Sequence, residues 1–309
     1  MKKSESINSG SIRYFRNVFG KDVSAEAKAV LLDKTEKRSS SWYFTDSDFV
    51  PVLEELRKNP LPRTAEAGLI YSSSGKFVWK LECPTTKGKC VVAYKTNPGK
   101  TPWRYILKSS LPVREARNYL RFEKIGLPVA PVIAVGDERK NFILRETFIV
   151  TGFIADTADG RSFMQEGVHY GDLENKLTFC KLNLQLLAKL HHANIFHKAF
   201  HPRNLLWRNT GKDMEIFWID VARCRPVSAR AMKRAVLIDL HTFFRDMKLT
   251  QNQTFELLEH YKSFAPAQYL PGTTEELLEK LVNFRRRLFS RKKYHLFSEE
   301  RETAAKENW

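Results

Sequence analysis

The chain has 309 residues, enough for one large domain or two small lobes. Hydrophobic residues make up 42% of it and include 21 phenylalanines, which can supply a core and exclude global disorder. The formal net charge of +17 implies an anionic partner, and nucleotide phosphates, nucleic acid and an anionic membrane surface all satisfy it.

The cysteines and the apolar runs bear on where the protein works. No apolar run approaches the ~18 residues that span a bilayer, and Met1-Lys2-Lys3 is followed by polar residues rather than an apolar leader. We therefore expect a soluble or peripheral, intracellular protein. Reduced thiols are expected because no C-x-x-C pair and no zinc spacing occurs among Cys83, Cys90, Cys180 and Cys224.

Residues 1–65 predict a basic, helical N-terminal extension. Apolar positions within 12–19 and 30–32 favour short helices, and Lys-Arg-Ser-Ser-Ser at 37–41 is typical of a linker. The acidic residues of 46–48 can cap a further helix. Its apolar positions recur at three- and four-residue spacing: Phe49, Val52, Leu53 and Leu56.

From residue 66 the pattern changes to strands. Three short β-rich runs, at 68–71, 76–81 and 90–95, are separated by turn residues and predict antiparallel hairpins. Ser74 and Gly75 lie in the first turn, where a loop covering a bound phosphate would lie. An ordinary hairpin turn explains them equally well.

The run Val-Val-Ala-Tyr-Lys at 91–95 resembles the V-A-I-K strand of protein kinases, whose lysine points at nucleotide phosphates. An exposed lysine at a strand end is the alternative. The helix predicted over 112–126 places Glu115 at the edge of its apolar face, where an unpaired charge is costly. Lys95 is the expected partner. The opposite face carries a basic stripe of Arg114, Arg117, Arg121 and Lys124.

Apolar runs between 125 and 153 predict two or three more strands, which complete a five-stranded sheet. The segment around Thr151 and Phe153 then follows the sheet as a hinge whose backbone could meet an adenine ring. Residues 173–193 predict a long amphipathic helix that leads into the next loop.

The stretch 196–220 holds the most specific pattern. It reads as a loop, a β-hairpin and an acidic residue at a strand end, and its loop matches the kinase pattern H-R-D-x-x-x-x-N at His197, Ala199 and Asn204. The Asn204 amide oxygen and the Asp220 carboxylate are oxygens that Mg²⁺ accepts beside phosphates and water. We expect His197 to anchor the loop.

These motifs, in this order, resemble the protein-kinase-like superfamily, and in detail the bacterial lipopolysaccharide core kinases. The resemblance covers about residues 66–265. It is carried by Arg114-Glu115-Ala-x-Asn, the run Ile-Gly-Leu-Pro-Val-Ala-Pro-Val-Ile-Ala-Val-Gly at 125–136, the His197–Asn204 loop, Ile219-Asp220-x-Ala-Arg223 and Ala235-x-x-Ile-Asp-Leu-x-Thr-Phe-Phe-Arg.

The resemblance implies an α+β, bilobal protein-kinase-like fold. A small antiparallel sheet with one helix would form the N-lobe at 66–152, and a short, mostly helical C-lobe would cover 153–297. The extension 1–65 and a polar tail at 298–309 lie outside these lobes. The resemblance also implies ATP and Mg²⁺. The residues expected at the nucleotide are Lys95, Ser74, Gly75, Thr151, Phe153, Asn204 and Asp220.

The same resemblance implies an acceptor and a location. Lipopolysaccharide core kinases phosphorylate a Kdo or heptose hydroxyl of the lipid A–core glycolipid at the cytoplasmic face of the inner membrane. Residues 283–295 are rich in Arg and Lys, interleaved with aromatic residues and free of acids, which suits an anionic membrane. A solvated helix face is the alternative, and without a nucleic-acid-binding signature we expect no nucleic acid partner.

Ala199 departs from the family. Kinases place there the Asp that accepts the proton of the attacking hydroxyl, and a methyl group cannot do this. We therefore expect the chain as written to be inactive. Two explanations stay open: the natural residue is Asp and was replaced, or the natural protein is a nucleotide-binding pseudokinase. A further alternative concerns the function: His201-Pro202 resembles the H-P-x-N of aminoglycoside and choline kinases, which phosphorylate small molecules.

Overall fold

A computed structural model describes residues 28–35, 38–44, 51–52, 55–56, 68–73, 76–98, 110–140, 143–164, 173–211 and 213–290. The chain divides into two compact units. The first comprises residues up to 121 together with 129–155, and the second comprises 122–128 and the residues from 156 onward. The lobe boundaries predicted from the sequence stay predictions.

The first unit is built on a seven-stranded sheet in the order β1-β2-β6-β7-β5-β4-β3, in which each pair of neighbours is antiparallel. The five strands predicted between 66 and 153 are confirmed as β3 to β7. In chain order the strands are β1 Lys28–Thr35, β2 Arg38–Phe44, β3 Leu69–Ser73, β4 Lys76–Thr85, β5 Gly88–Pro98, β6 Val132–Lys140 and β7 Ile143–Gly152.

Two predictions for the N-terminal extension are wrong. Residues 30–32 belong to strand β1 rather than a helix, and the supposed linker at 37–41 lies mostly in strand β2. Strand β2 pairs with β6 from Arg38↔Lys140 to Phe44↔Ala134. This long-range ladder satisfies the backbone of a serine-rich segment whose local composition favours a loop. The helix predicted within 12–19 lies outside the described residues.

Residues 51–52 and 55–56 are helical, so the helix predicted after the acidic cap is confirmed at those positions. Val52 is fully buried and Leu56 is 8% exposed. Both belong to an apolar cluster on the sheet that also contains Cys83, Val92, Ile133, Ala134, Phe148 and Val150. The N-terminal extension therefore contributes to the core of the first unit.

Helix α1, Leu111–Lys124, begins at the sheet. The hydroxyl of Ser110, just before it, lies 2.6 Å from Asp137 Oδ1 in β6 and 2.9 Å from Thr147 Oγ1 in β7. Its carbonyl accepts the first helical hydrogen bond from Arg114 N–H at 3.1 Å. This buried polar cluster fixes where the helix starts relative to the strands.

The second unit is mostly helical. Its strands form one sheet in the order β11-β10-β8 and one pair, β9 with β12. Its strands and helices are β8 Ala158–Asp159, α2 Leu173–His192, β9 Ile195–Phe196, β10 Leu205–Asn209, β11 Met214–Trp218, β12 Arg225–Pro226, α3 Ala229–Met247, α4 Gln251–Phe264 and α5 Thr274–Ser290. The predicted long helix and the β10–β11 hairpin are confirmed, and so is the α+β class.

Helix α2 holds the hairpin through one buried amide. Asn183 donates its side-chain N–H to the Phe179 carbonyl at 2.9 Å and accepts the indole N–H of Trp218 at 3.0 Å. Trp218 is fully buried at the end of β11, two residues before Asp220. No helix in the described ranges is both long and apolar enough to cross a bilayer.

Candidate active site

In the first unit, Lys95 and Glu115 form the ion pair that the sequence predicts. Lys95 Nζ lies 3.0 Å from Glu115 Oε1 and 2.9 Å from Oε2, and the side chains are 21% and 4% exposed. Tyr119 Oη adds a long contact of 3.4 Å to Oε1. The carboxylate is thus buried with its cation beside it, as a buried charge requires.

Strand periodicity explains why Lys95 meets helix α1. Successive side chains of a strand point to opposite faces, and Tyr94 packs against the cluster that holds Val52 and Leu56. Lys95 therefore points to the opposite face of the sheet, where Glu115 lies. Its strand is interior, because Lys95 is paired with Val78 in β4 and with Ile149 in β7. An interior strand holds the ammonium group in a fixed place.

In the segment predicted to meet an adenine ring, backbone N–H groups are hydrogen-bonded to other parts of the first unit. Gly152 donates to the Pro131 carbonyl at 2.9 Å, and Phe153 donates to the Val91 carbonyl at 3.0 Å. The backbone at Thr151 is paired with Ala93. The N–H groups of Gly152 and Phe153 are therefore already hydrogen-bonded and are not available to a nucleotide base in this structure. Ser74 and Gly75 lie outside the described residues.

In the second unit, Asp239 of helix α3 binds the start of the loop at 197–204. Its two carboxylate oxygens accept the backbone N–H of His197 at 2.9 Å and of Lys198 at 2.8 Å. Asp239 is fully buried, and Lys198 has a φ of 67°. A residue other than glycine adopts this left-handed backbone conformation only when surrounding contacts hold it there. The hydrogen bond to Asp239 is such a contact.

The same carboxylate anchors two more helices. His191 of α2 has Nε2 3.2 Å from Asp239 Oδ2, and its Nδ1 lies 2.6 Å from the hydroxyl of Tyr261 in α4. Burial raises the pKa of Tyr261 well above its ordinary value, so the phenol stays protonated and can donate. Asp239 was not among the predicted site residues. In the sequence it is the Asp of the Ala235-x-x-Ile-Asp-Leu motif, a carboxylate inside an apolar helix run.

His197 is completely buried among aromatic rings. Its ring lies edge-on to Phe200 and Trp218, with centroids 5.2 and 5.3 Å away. Neither ring nitrogen has a hydrogen-bond partner within the described parts of the chain. Burial lowers its pKa to about 4, so the ring is neutral at pH 7. This environment suits packing of the loop rather than proton transfer.

The loop brings Ala199, Asn204 and the end of β11 together. Asn204 donates its side-chain N–H to the Ala199 carbonyl at 3.0 Å, which leaves the amide oxygen as an acceptor. Its own carbonyl accepts Ile219 N–H at 2.9 Å, and the next residue is Asp220. Asp220 is exposed and adopts a left-handed conformation with φ 54° and ψ 46°.

These oxygens fit a divalent ion that is also bound by phosphates. No group of three or more His, Cys, Asp or Glu side chains suited to a metal occurs among the described residues. An amide oxygen and one carboxylate, from Asn204 and Asp220, are a donor set suited to Mg²⁺, which keeps waters and substrate phosphates as its other ligands.

The sequence profile of one protein family, "Lipopolysaccharide kinase (Kdo/WaaP) family", matches residues 99–261, just over half of the chain. The chain belongs to this family. The resemblance predicted from the motifs is thereby confirmed, and with it the kinase-like α+β fold. Membership makes the chain a kinase-type phosphotransferase and implies ATP as phosphoryl donor.

Comparison of this Kdo/WaaP-family chain with curated proteins by sequence finds no match. Among solved structures, it is similar to WaaP in complex with acyl carrier protein, at 16% identity over 73% of this chain and 90% of that one, with a TM-score of 0.49. It is also similar to the kinase domain of Mycobacterium tuberculosis PknI, at 16% identity over 72% and 98% of the two chains, with a TM-score of 0.40.

One contact of this Kdo/WaaP-family loop has no signal in the sequence. His201 Nδ1 lies 2.7 Å from Asp246 Oδ2 in helix α3, 45 residues away along the chain. The two side chains are 19% and 14% exposed. Arg245 contacts the other oxygen of Asp246, with Nε at 2.7 Å and a terminal nitrogen at 2.6 Å.

Proposed function

We propose that the chain is an ATP-dependent kinase that phosphorylates a sugar hydroxyl of the lipopolysaccharide inner core, on Kdo or heptose. The observation that carries the proposal is the buried Lys95–Glu115 pair, which joins residues 20 positions apart at 2.9 Å in a chain of this family. A lysine held by a buried carboxylate is the device with which kinases fix a phosphate-binding cation.

Each candidate residue then has a distinct chemical part. Lys95 neutralises charge on the nucleotide phosphates. The Asn204 amide oxygen and the Asp220 carboxylate would hold Mg²⁺, which when bound neutralises the charge that develops on the transferred phosphoryl group. His197 and Asp239 keep the loop in place and do not contact the nucleotide.

Ala199 limits the rate that we expect. Its methyl group can neither orient the acceptor hydroxyl nor accept its proton, so transfer by this chain is slow or absent compared with an Ala199→Asp variant. The second candidate function, a nucleotide-binding pseudokinase, is favoured by this residue. If neither the unmodified chain nor Ala199→Asp transfers phosphate to a lipid A–core glycolipid, the pseudokinase explanation replaces the kinase one.

The acceptor and the location follow from the family and from the charge. A lipid A–core glycolipid is embedded in the inner membrane, so we propose a protein peripheral to the cytoplasmic face of that membrane. The basic segment 283–295 would meet the anionic surface. Most of its side chains lie outside the described residues, and its support comes from the sequence. Transfer to an aminoglycoside or choline instead would identify a different acceptor class.

A thermal-shift titration with ATP tests nucleotide binding. A ligand that binds only the folded state raises its stability by about 2.7 kcal/mol at 100 times its Kd. We expect the melting temperature to rise with ATP, and to rise further with Mg²⁺. Lys95→Met should abolish most of the rise, and Asp220→Asn should abolish the part that depends on Mg²⁺.

Lys89→Met is the matched control. Lys89 lies on the same strand as Lys95, but it is exposed and pairs with Glu82 at 2.6 Å on the surface. This variant should bind ATP as the unmodified chain does. If millimolar ATP leaves the melting temperature of every form unchanged, the nucleotide site and the proposed function are both wrong.

A further inference from the structure

A histidine–carboxylate pair lies close to Ala199, the position at which kinases have the catalytic Asp. His201 follows Ala199 by two residues, and its Nδ1 lies 2.7 Å from Asp246. The inference drawn from this pair rests on the proposed kinase function. It concerns how a chain with alanine at position 199 could remove the proton of its acceptor.

The pair fixes both the tautomer and the direction of the imidazole. An ionised carboxylate can only accept, so Nδ1–H donates to Asp246, and in the neutral ring Nε2 then carries the lone pair. Burial by itself raises the pKa of Asp246, but the hydrogen bond from His201 and the charge of Arg245 bring it below its usual value, so this carboxylate stays ionised. An ionised partner stabilises the imidazolium that forms when Nε2 accepts a proton.

The loop backbone holds His201 next to the other candidate groups. His201 N–H donates to the Ala199 carbonyl at 2.8 Å, and the His201 carbonyl accepts Asn204 N–H at 2.8 Å. The side chain of Asn204 is bonded to the same Ala199 carbonyl at 3.0 Å. Residue 201 is therefore part of the turn that carries a proposed metal ligand, with its ring on the side of helix α3.

Exposure separates His201 from the other histidines of this region. His191 also has a carboxylate partner, but its side chain is fully buried, and its other nitrogen is bonded to Tyr261. His197 is fully buried, and neither of its ring nitrogens is hydrogen-bonded within the described ranges. His201 combines a carboxylate partner with a side chain that is 19% exposed, so a substrate can reach it.

We propose that His201 accepts the proton of the acceptor hydroxyl and that Asp246 positions it, in place of the missing acid at 199. The hydroxyl oxygen forms a bond to the γ-phosphorus of ATP, and the bond from that phosphorus to the β–γ bridging oxygen breaks. The proton passes to His201 Nε2, the bond electrons leave with ADP, and the imidazolium then releases its proton to water.

A double-mutant cycle tests this role. The reaction contains ATP, Mg²⁺ and a lipid A–core glycolipid carrying Kdo and heptose in detergent micelles, and kcat and KM for ATP are measured. In the unmodified chain, His201→Gln should lower kcat about 100-fold with little change in KM. This is the lower end of the rate enhancement that a general base usually provides. In an Ala199→Asp background the new carboxylate takes the proton, so His201→Gln should cost less than about threefold.

Asp246→Asn tests the positioning residue by the same comparison. It should lower kcat in the unmodified chain but not in the Ala199→Asp background, a difference that loss of structure alone cannot produce. His192→Gln is the control, since His192 is an exposed histidine at the end of α2 that bonds the Phe264 carbonyl at 3.0 Å. It should leave kcat unchanged. Melting temperatures and Mg²⁺-ATP binding of each variant verify folding.

The outcomes distinguish this proposal from the proposed function. If His201→Gln lowers kcat equally in both backgrounds, or in neither, the histidine is not the proton acceptor. If the unmodified chain transfers no phosphate while Ala199→Asp does, the kinase function holds and the histidine proposal fails. If neither form transfers phosphate to any core glycolipid, the kinase function itself fails.

Discussion

At the scale of single residues, the loop between β9 and β10 depends on one carboxylate. Asp239 accepts the N–H groups of His197 and Lys198 and also contacts His191, so three parts of the second unit meet at one buried side chain. Removing one partner of such a network leaves the others buried without a partner, which usually costs several kcal/mol.

The side chain of His197 differs from that of Asp239, because its ring nitrogens make no hydrogen bond among the described residues. A phenylalanine would fit between Phe200 and Trp218 and would remove two desolvated nitrogens. We predict that His197→Phe changes the free energy of unfolding at pH 7 by less than about 1 kcal/mol. Urea denaturation measures this difference.

The same variant should change the response to acid. The folded-state pKa of His197 is about 4, below the ordinary value of 6.5. As pH falls through that window the unfolded chain binds a proton that the folded chain does not, so stability falls by about 1.4 kcal/mol per pH unit. Between pH 7 and pH 4.5, His197→Phe should lose about 2–3 kcal/mol less than the unmodified chain.

His192→Phe is the control for this experiment, because His192 is exposed and its replacement should leave the acid response unchanged. The interpretation would be wrong if His197→Phe lost more than about 3 kcal/mol at pH 7, the cost of breaking a polar contact.

Single residues also show what sequence could and could not predict. The Lys95–Glu115 pair was predictable, because a lysine at a strand end and a carboxylate at the edge of an apolar helix face each leave a local signal. The His201–Asp246 pair was not. Its partners are 45 residues apart, and although His201 belongs to a recognisable motif, nothing in the sequence marks Asp246 as its partner.

At the scale of secondary structure elements, the N-terminal segment was the least predictable. Local composition favours a loop at Ser39, Ser40 and Ser41, yet these residues pair with Arg139, Glu138 and Asp137 of β6. Backbone pairing with a distant strand overrides local propensity, and the sequence of the segment does not identify the strand with which it pairs. The helix that carries Leu56 was predictable because its apolar spacing is local.

Leu56 gives an element-scale prediction. It is 8% exposed and belongs to the cluster on the sheet, so Leu56→Ala should remove apolar contact and leave a cavity. We expect a loss of about 2–4 kcal/mol in the free energy of unfolding. Ile70→Ala is the matched control, because Ile70 is 53% exposed on β3 and should cost less than about 0.5 kcal/mol.

Equal losses for the two variants would mean that the N-terminal helix does not stabilise the sheet. Thermal or urea denaturation followed by circular dichroism distinguishes the cases, because both substitutions leave the backbone ladder intact.

At the scale of the whole molecule, the net charge of +17 leads to a prediction about membranes. We expect the protein to sediment with vesicles that contain anionic phosphatidylglycerol and to be released as salt rises, since screening weakens surface attraction. Replacing Arg285, Arg286 and Arg287 by Gln should weaken binding by about 1 kcal/mol per cation, more than 100-fold in total.

The matched control replaces three other cations by Gln. Arg230, Lys233 and Arg234 are exposed on helix α3, outside the basic segment. If both triple variants lose the same affinity, the attraction comes from total charge, and segment 283–295 is not a membrane-binding element.

The order of strands in the first unit has a consequence for any shortened form of the protein. Strand β6 is interior because β2 covers one of its sides, and β6 begins with the buried run Val132, Ile133, Ala134 and Val135. A chain that lacked residues 1–65 would leave the part of β6 that pairs with β2, from Ala134 to Lys140, as an open sheet edge. Such edges pair with other molecules, so the kinase-like core alone is expected to aggregate.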